Sequence, residues 1–206
     1  MTPALGLLLA YLAGGIPAAY LAGRLVRGID LRQHGSGNLG ATNVYRVLGW
    51  KIATAVMLFD AAKGALPVLL LPRWLAAGVP GGGYWALGYG LAAIAGHVRS
   101  PYFLWRAGGK GVATASGVFL ALVPIPTLLA IAVWALVLRA SGYVSLASLA
   151  AAVTLPIAVG AMLGVRPPVF ALTLLVAAFV FWTHRANIAR LRRGEEHRFG
   201  RRKAAT

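Results

Sequence analysis

Residues 112–138 read VATASGVFLALVPIPTLLAIAVWALVL. The stretch carries no charge and is too long for one straight membrane crossing, which takes roughly 20 residues. Pro124 and Pro126 lie inside it. Proline removes a backbone donor and its ring clashes with the preceding turn, so two helices are expected here. A short one ends at Val123 and a second runs over 127–138. How this stretch divides sets the number of crossings, and with it the side on which each later loop falls.

Five further apolar runs flank it, at about 2–23, 52–71, 84–98, 144–163 and 169–182. No basic segment precedes the first, so it is expected to be a retained span and not a cleaved leader. With seven spans and the N-terminus outside, one side receives all 20 Lys and Arg except Arg73, Arg166 and Lys63. Lys63 lies within the second span. The excess of basic residues on cytoplasmic loops then places the C-terminus inside, with a basic tail over 192–206. A six-span reading would put that tail and the first two basic loops on opposite sides. The fold expectation is therefore all-α: a polytopic membrane protein with seven transmembrane helices, forming a single integral-membrane domain over 1–206.

Composition agrees. The chain is 59% apolar and 12% charged with a formal net charge of +16, whereas a soluble domain is about 25% charged. Disordered, collagenous and ordinary soluble classes are excluded. The absence of Cys excludes disulfides, thiolate metal sites and Cys nucleophiles. Only four acids are present, none paired at metal-ligand spacing, which disfavours a carboxylate metal site. The basic residues punctuate apolar runs, a pattern that suits anionic headgroups or phosphorylated substrates better than nucleic acid.

Three polar segments fall on the inferred cytoplasmic side. The first, His34-Gly-Ser36-Gly-Asn38-Leu39-Gly40-Ala-Thr42-Asn43 with Arg46, combines glycine turns, neutral hydrogen-bonding groups and a guanidinium. Backbone N–H groups in such turns can cradle an anion, and arginine forks onto phosphate. A flexible Gly/Ser loop is the plainer reading. Gly35 to Gly40 also match G-x-G-x-x-G, but no strand precedes them and Asp60 beyond them lies in an apolar span, so a dinucleotide fold is rejected. The second segment is Gly96-His97, Ser100-Pro101 and Gly108-Gly-Lys110-Gly-Val-Ala-Thr114. A glycine-lysine run opening a helix is a natural phosphate seat; a tight turn with its lysine at the headgroups is the alternative. In the third, His184, Asn187 and Leu191 share one helical face, followed by Gly194-Glu-Glu196. A basic juxtamembrane segment held by anionic lipids explains it equally. Asp60 and Lys63, at i, i+3 within a span, read as an ion pair stabilising the bundle, with a share in a polar cavity as the alternative. Ser145 opens the sixth span and is placed to bond a substrate; Ser148 can equally bond its own helix carbonyl.

Together these segments resemble the bacterial integral-membrane acyl-phosphate:glycerol-3-phosphate acyltransferases. The matching pieces are Ser36-Gly-Asn38-x-Gly-Ala-Thr42-Asn43, Asp60-x-x-Lys63-Gly64, Gly96-His97 with Gly108-Gly-Lys110-Gly-Val-Ala-Thr114, and His184-Arg-x-Asn187-Ile with Gly194-x-Glu196. They run in family order along nearly the whole chain. Leu39, where proline is expected, and Glu195, where threonine is expected, depart from the pattern. The resemblance implies transfer of a fatty acyl group from acyl-phosphate to the 1-hydroxyl of glycerol 3-phosphate, giving lysophosphatidic acid in phospholipid biosynthesis. It implies a multi-pass protein of the bacterial cytoplasmic (inner) membrane whose active site faces the cytoplasm. Membrane lipids would be its surroundings, with no cofactor, metal or nucleic acid.

The implied catalytic group is Ser36, His97, Lys110, His184 and Asn187. Asn38, Thr42, Asn43, Arg46, Ser145 and Glu196 would bind substrate. An acyl phosphate has a good leaving group, so positioning and charge stabilisation can carry most of the rate. The soluble acyltransferase signature, His with Asp five positions on, is absent. A transporter for a phosphorylated or anionic solute is the rival reading. It predicts polar groups on both membrane sides and usually an internal repeat, neither of which is evident.

Overall fold

The computed structural model describes residues 2–79, 81–105 and 108–199. Among them lie ten α-helices and no strand. Arg106 and the tail residues Arg201, Arg202 and Lys203, assigned above to the cytoplasmic side, fall outside the described residues. The chain divides into two compact units, Met1–Leu122 and Val123–Thr206.

The first unit holds α1 (Pro3–Gly15), α2 (Ala18–Arg27), α3 (Ala41–Leu48), α4 (Trp50–Leu75), α5 (Gly82–Val98) and α6 (Val112–Leu122), with 3-10 turns at Leu31–Gln33 and Pro101–Phe103. The second holds α7 (Pro124–Ser141), α8 (Val144–Leu163), α9 (Pro168–Thr183) and α10 (Arg185–Arg192).

The proline break falls where the sequence places it. Helix α6 stops at Leu122 and α7 restarts with Pro124 in its first turn. That start is earlier than residue 127, because a first-turn proline gives up only a donor that has no helical partner. The first apolar run is also broken, at Ile16–Pro17, which hydropathy conceals because both sides are apolar. Among the described residues, four segments are long and apolar enough to cross a membrane: Pro3–Arg27, Trp50–Leu75, Pro124–Ser141 and Val144–Leu163. The pair Pro168–Thr183 and Arg185–Arg192, bent by 58° at His184, makes a fifth when taken as one. The other two expected spans correspond to α5, of 17 residues, and α6, of 11, both short of that length.

Helices α4 and α6 approach until backbones touch. A Cβ on Gly117 would overlap the Ala61 carbonyl, and one on Gly64 the Thr114 carbonyl. Small residues permit such packing where lipid supplies no hydrophobic drive between helices. Beneath the Ser36 loop, Ala19, Leu31, Leu39, Val44, Ala53 and Val56 form a buried apolar cluster. Leu39, the departure from the family pattern, fills a core position there and is 4% exposed.

Candidate active site

In the first unit, Asp30 anchors the approach to the Ser36 loop. Its carboxylate takes the Arg32 guanidinium through Nη2 at 2.6 Å and Nε at 3.0 Å, and accepts the Arg32 backbone N–H at 3.0 Å. The Asp30 carbonyl lies 2.8 Å from His34 Nδ1. Arg32 also stacks on Tyr20 and Phe103, 5.2 and 4.7 Å from their ring centres. The hydrogen bonds from Arg32 hold the Asp30 carboxyl at about 2, against the upward push of burial.

Asn43, 1% exposed, shapes the loop itself. Its Oδ1 accepts the Ser36 N–H at 2.8 Å, and its Nδ2 donates to the His34 carbonyl at 3.0 Å and the Leu31 carbonyl at 3.3 Å. Those three bonds commit the side chain to backbone. Ser36 is left exposed, and Asn38 and Thr42 half-buried. Gly40 caps α3, so the loop leads onto a helix N-terminus, where partial positive charge favours an anion. Arg46 follows Thr42 by one helical turn and is exposed.

The second segment closes on the end of α5. Gly109 N–H donates to the His97 carbonyl at 3.2 Å. The buried Gly109 lies against the imidazole, and a Cβ there would overlap Nε2. Gly111, at φ +83°, makes the turn into α6, and Lys110 is half-buried between the two glycines. His97 is 6% exposed, with Nδ1 3.6 Å from Asp60 Oδ1. Ser100 Oγ donates to the Gly15 carbonyl at 2.8 Å, a helix-end bond.

In the second unit, Glu196 gathers the third segment. Its Oε1 accepts Asn187 Nδ2 at 2.6 Å and Ser145 Oγ at 3.0 Å, and its Oε2 accepts Arg190 Nε at 2.7 Å. Burial pushes this carboxyl up, but the hydrogen bonds from Asn187, Arg190 and Ser145 outweigh it and hold it below the ordinary glutamate range. His184 sits at the bend between α9 and α10, with Nδ1 2.8 Å from the Val180 carbonyl. A carbonyl only accepts, so Nδ1 carries the proton of that contact. Ser148 Oγ donates to the Val144 carbonyl at 2.8 Å, in its own helix. Among the described residues no group of three His, Cys, Asp or Glu side chains could hold a metal ion.

The model of the glycerol-3-phosphate acyltransferase family matches residues 4–194. The chain belongs to that family. A glycerol-3-phosphate acyltransferase of Myxococcus xanthus is 50% identical over 201 residues, covering 97% of this chain and 100% of the relative. The crystal structure of PlsY, an integral membrane glycerol 3-phosphate acyltransferase, in its glycerol 3-phosphate form superposes with a TM-score of 0.87 at 36% identity, covering 96% of each chain. The lysophosphatidic acid form gives 0.83 at 35% identity, covering 96% of this chain and 95% of that one.

Within the family frame, two partnerships escape sequence reading. Glu196 is a hub for Ser145, Asn187 and Arg190, and Asp60 approaches His97 as well as Lys63. Their signals were two adjacent acids at the end of the third segment and a charge pair within a span, neither of which names a distant partner. The scaffold role of Asn43 has a direct test. Asn43→Asp removes both donations and sets a carboxylate against two carbonyls. A loss of about 2–3 kcal/mol is expected in detergent unfolding. An unchanged unfolding midpoint would refute the scaffold role.

Proposed function

We propose that this chain transfers a fatty acyl group from acyl-phosphate to the 1-hydroxyl of glycerol 3-phosphate, releasing phosphate and lysophosphatidic acid. The observation that carries this is the match over 96% of the chain to PlsY structures in glycerol 3-phosphate and lysophosphatidic acid forms. Two phosphate-suited elements of the first unit support it: the Ser36 loop leading onto α3, and the glycine-lysine turn leading onto α6.

Ser36, Asn38, Thr42 and Arg46 hold a substrate phosphate. Asn43 binds indirectly, by fixing their loop. Lys110 stabilises charge on the departing phosphate. As the hydroxyl oxygen bonds to the acyl carbon, the acyl–phosphate C–O bond breaks and its electron pair leaves with phosphate. The hydroxyl proton passes to an imidazole or to the acceptor's own phosphate, and His184 at the bend between α9 and α10 orients substrate for that transfer. His97 orients substrate beside Lys110. Asn187 and Ser145, held by Glu196, polarise the acyl carbonyl and orient the hydroxyl.

Residues 1–206 act as one acyltransferase domain in the bacterial inner membrane, with seven crossings, the N-terminus outside and the active site toward the cytoplasm. The bias of Lys and Arg supports this topology, with α5 and α6 as its two short crossings.

The test is phosphate release by purified protein given palmitoyl phosphate and glycerol 3-phosphate, with palmitoyl-CoA as the competing donor. Release that requires both substrates, with lysophosphatidic acid appearing in step, is expected. Turnover with the CoA ester alone would overturn the donor. Turnover with neither, in folded protein, would overturn the reaction.

A further inference from the structure

Asp60 and Lys63 of α4 are 2% and 5% exposed, with Nζ 2.7 Å from Oδ1. Lys63 Nζ also donates, at 2.8 Å, to the Ile16 carbonyl, which the break between α1 and α2 releases from helical bonding. A buried ion pair is by itself a poor stabiliser, because desolvation of both charges offsets their attraction. This pair is also incomplete. Asp60 Oδ1 is fully buried yet makes no hydrogen bond of proper direction, despite the nearby ammonium. The next polar atom toward it is His97 Nδ1 at 3.6 Å, on the last turn of α5. That is longer than a hydrogen bond, and such contacts commonly tighten only when substrate binds. The opposite edge of the imidazole, at Nε2, faces Gly109 in the glycine-lysine turn.

We propose that Asp60 is a positioning residue for acyl transfer: anchored by Lys63, its carboxylate orients the His97 imidazole so that Nε2 faces the Gly108–Gly111 turn. The assignment rests on the reaction proposed above and extends it to a side chain that touches no substrate. Lys63 keeps Asp60 in place and ties the device to the end of α1. Donation of Nδ1–H to Asp60 puts the His97 lone pair on Nε2, the edge against Gly109.

A double-mutant cycle of Asp60→Asn and His97→Ala tests it. Misorienting an imidazole by an Asp→Asn change costs about 10⁴-fold in the serine-protease case; over the longer contact here, about 10²-fold in kcat is expected. KM for glycerol 3-phosphate should stay within about threefold, since binding is not what is lost. In the His97→Ala background, Asp60→Asn should cost less than about threefold more, because residues acting through one group are not additive. Losses that multiply, or an Asp60→Asn enzyme with wild-type kcat, would overturn the proposal. Should Asp60→Asn fail to fold for want of a partner to Lys63, Asp60→Asn with Lys63→Met enters the same cycle. Nitrogen-15 spectra of the histidine ring separate this inference from the reaction. Loss of the Nδ1–H form of His97 on Asp60→Asn is expected even if the donor proves different, and an unchanged tautomer overturns the assignment.

Discussion

Glu196→Ala is expected to lower acyl transfer by about 10²-fold or more and to unlatch α10 from α8. One carboxylate accepts three side-chain donors, from Ser145 on α8 and from Asn187 and Arg190 on α10. Removing it strands two buried donors, each costing about 1–3 kcal/mol. Arg190, 35% exposed, regains water and counts least. The net loss is about 3–4 kcal/mol. Misplacing reactive groups by about 1 Å costs about 10²-fold, so kcat should fall at least that far. Glu196→Gln keeps the shape but turns an amide NH₂ toward either Arg190 or Asn187, two donors facing, and should fall between wild type and alanine. The carboxyl is held below its ordinary value of about 4.3. A group depressed on folding contributes stability above its unfolded value and loses it as pH falls through the folded one. The wild type should therefore lose stability below about pH 4 more steeply than Glu196→Ala. Asp30, at about 2, keeps contributing until pH falls to that value. Unfolding midpoints from pH 3 to 7 read the difference, and parallel curves would refute the role given to Glu196.

What could be read from the sequence was local chemistry. Pro124 announces its break because a missing donor acts on its own turn, wherever the turn lies in space. The same chemistry at Pro17 passes unseen, since Ile16 and Ala18 continue the apolar run. Pro67 and Pro72, by contrast, lie inside α4 without ending it; a helix in lipid keeps its remaining bonds because no water competes for them. The first two polar segments carry residue types suited to an anion, and the third a His/Asn helical face, all visible in the sequence. Their internal division of labour was not. Asn43 and Ser36 are neighbours of similar polarity, yet one is spent on three backbone groups and the other is left exposed. Burial decides between them, and burial comes from the packing of α3 on the Leu31–Val56 cluster, which no spacing rule encodes. Asp60 is the sharper case. Sequence offers Lys63 one helical turn away, a sufficient partner, and nothing in the chain between them and His97 signals that α5 brings an imidazole to the same carboxylate.

The other large effect is expected from Gly109→Ala. The added Cβ would overlap Nε2 and Cε1 of the His97 ring and press on Cδ2. A flexible side chain would step aside, but this ring is 6% exposed and its far edge lies 3.6 Å from Asp60. The Gly109 N–H bond to the His97 carbonyl ties the turn to the same residue, so the loop cannot retreat without breaking it. Either the imidazole or Lys110 must shift by about 1 Å, which should lower kcat about 10²-fold or more. Gly83→Ala is the control, since a Cβ there meets nothing within 4 Å; it should leave both activity and unfolding unchanged. Truncating the ring separates a clash from a general disturbance of the turn. In His97→Ala the space is open, so adding Gly109→Ala should restore the unfolding midpoint to that of His97→Ala alone, with turnover no lower than in that single variant. A full further loss of turnover in the His97→Ala background would mean that Gly109 is needed for its bare backbone against substrate phosphate, and not for the room it leaves the imidazole.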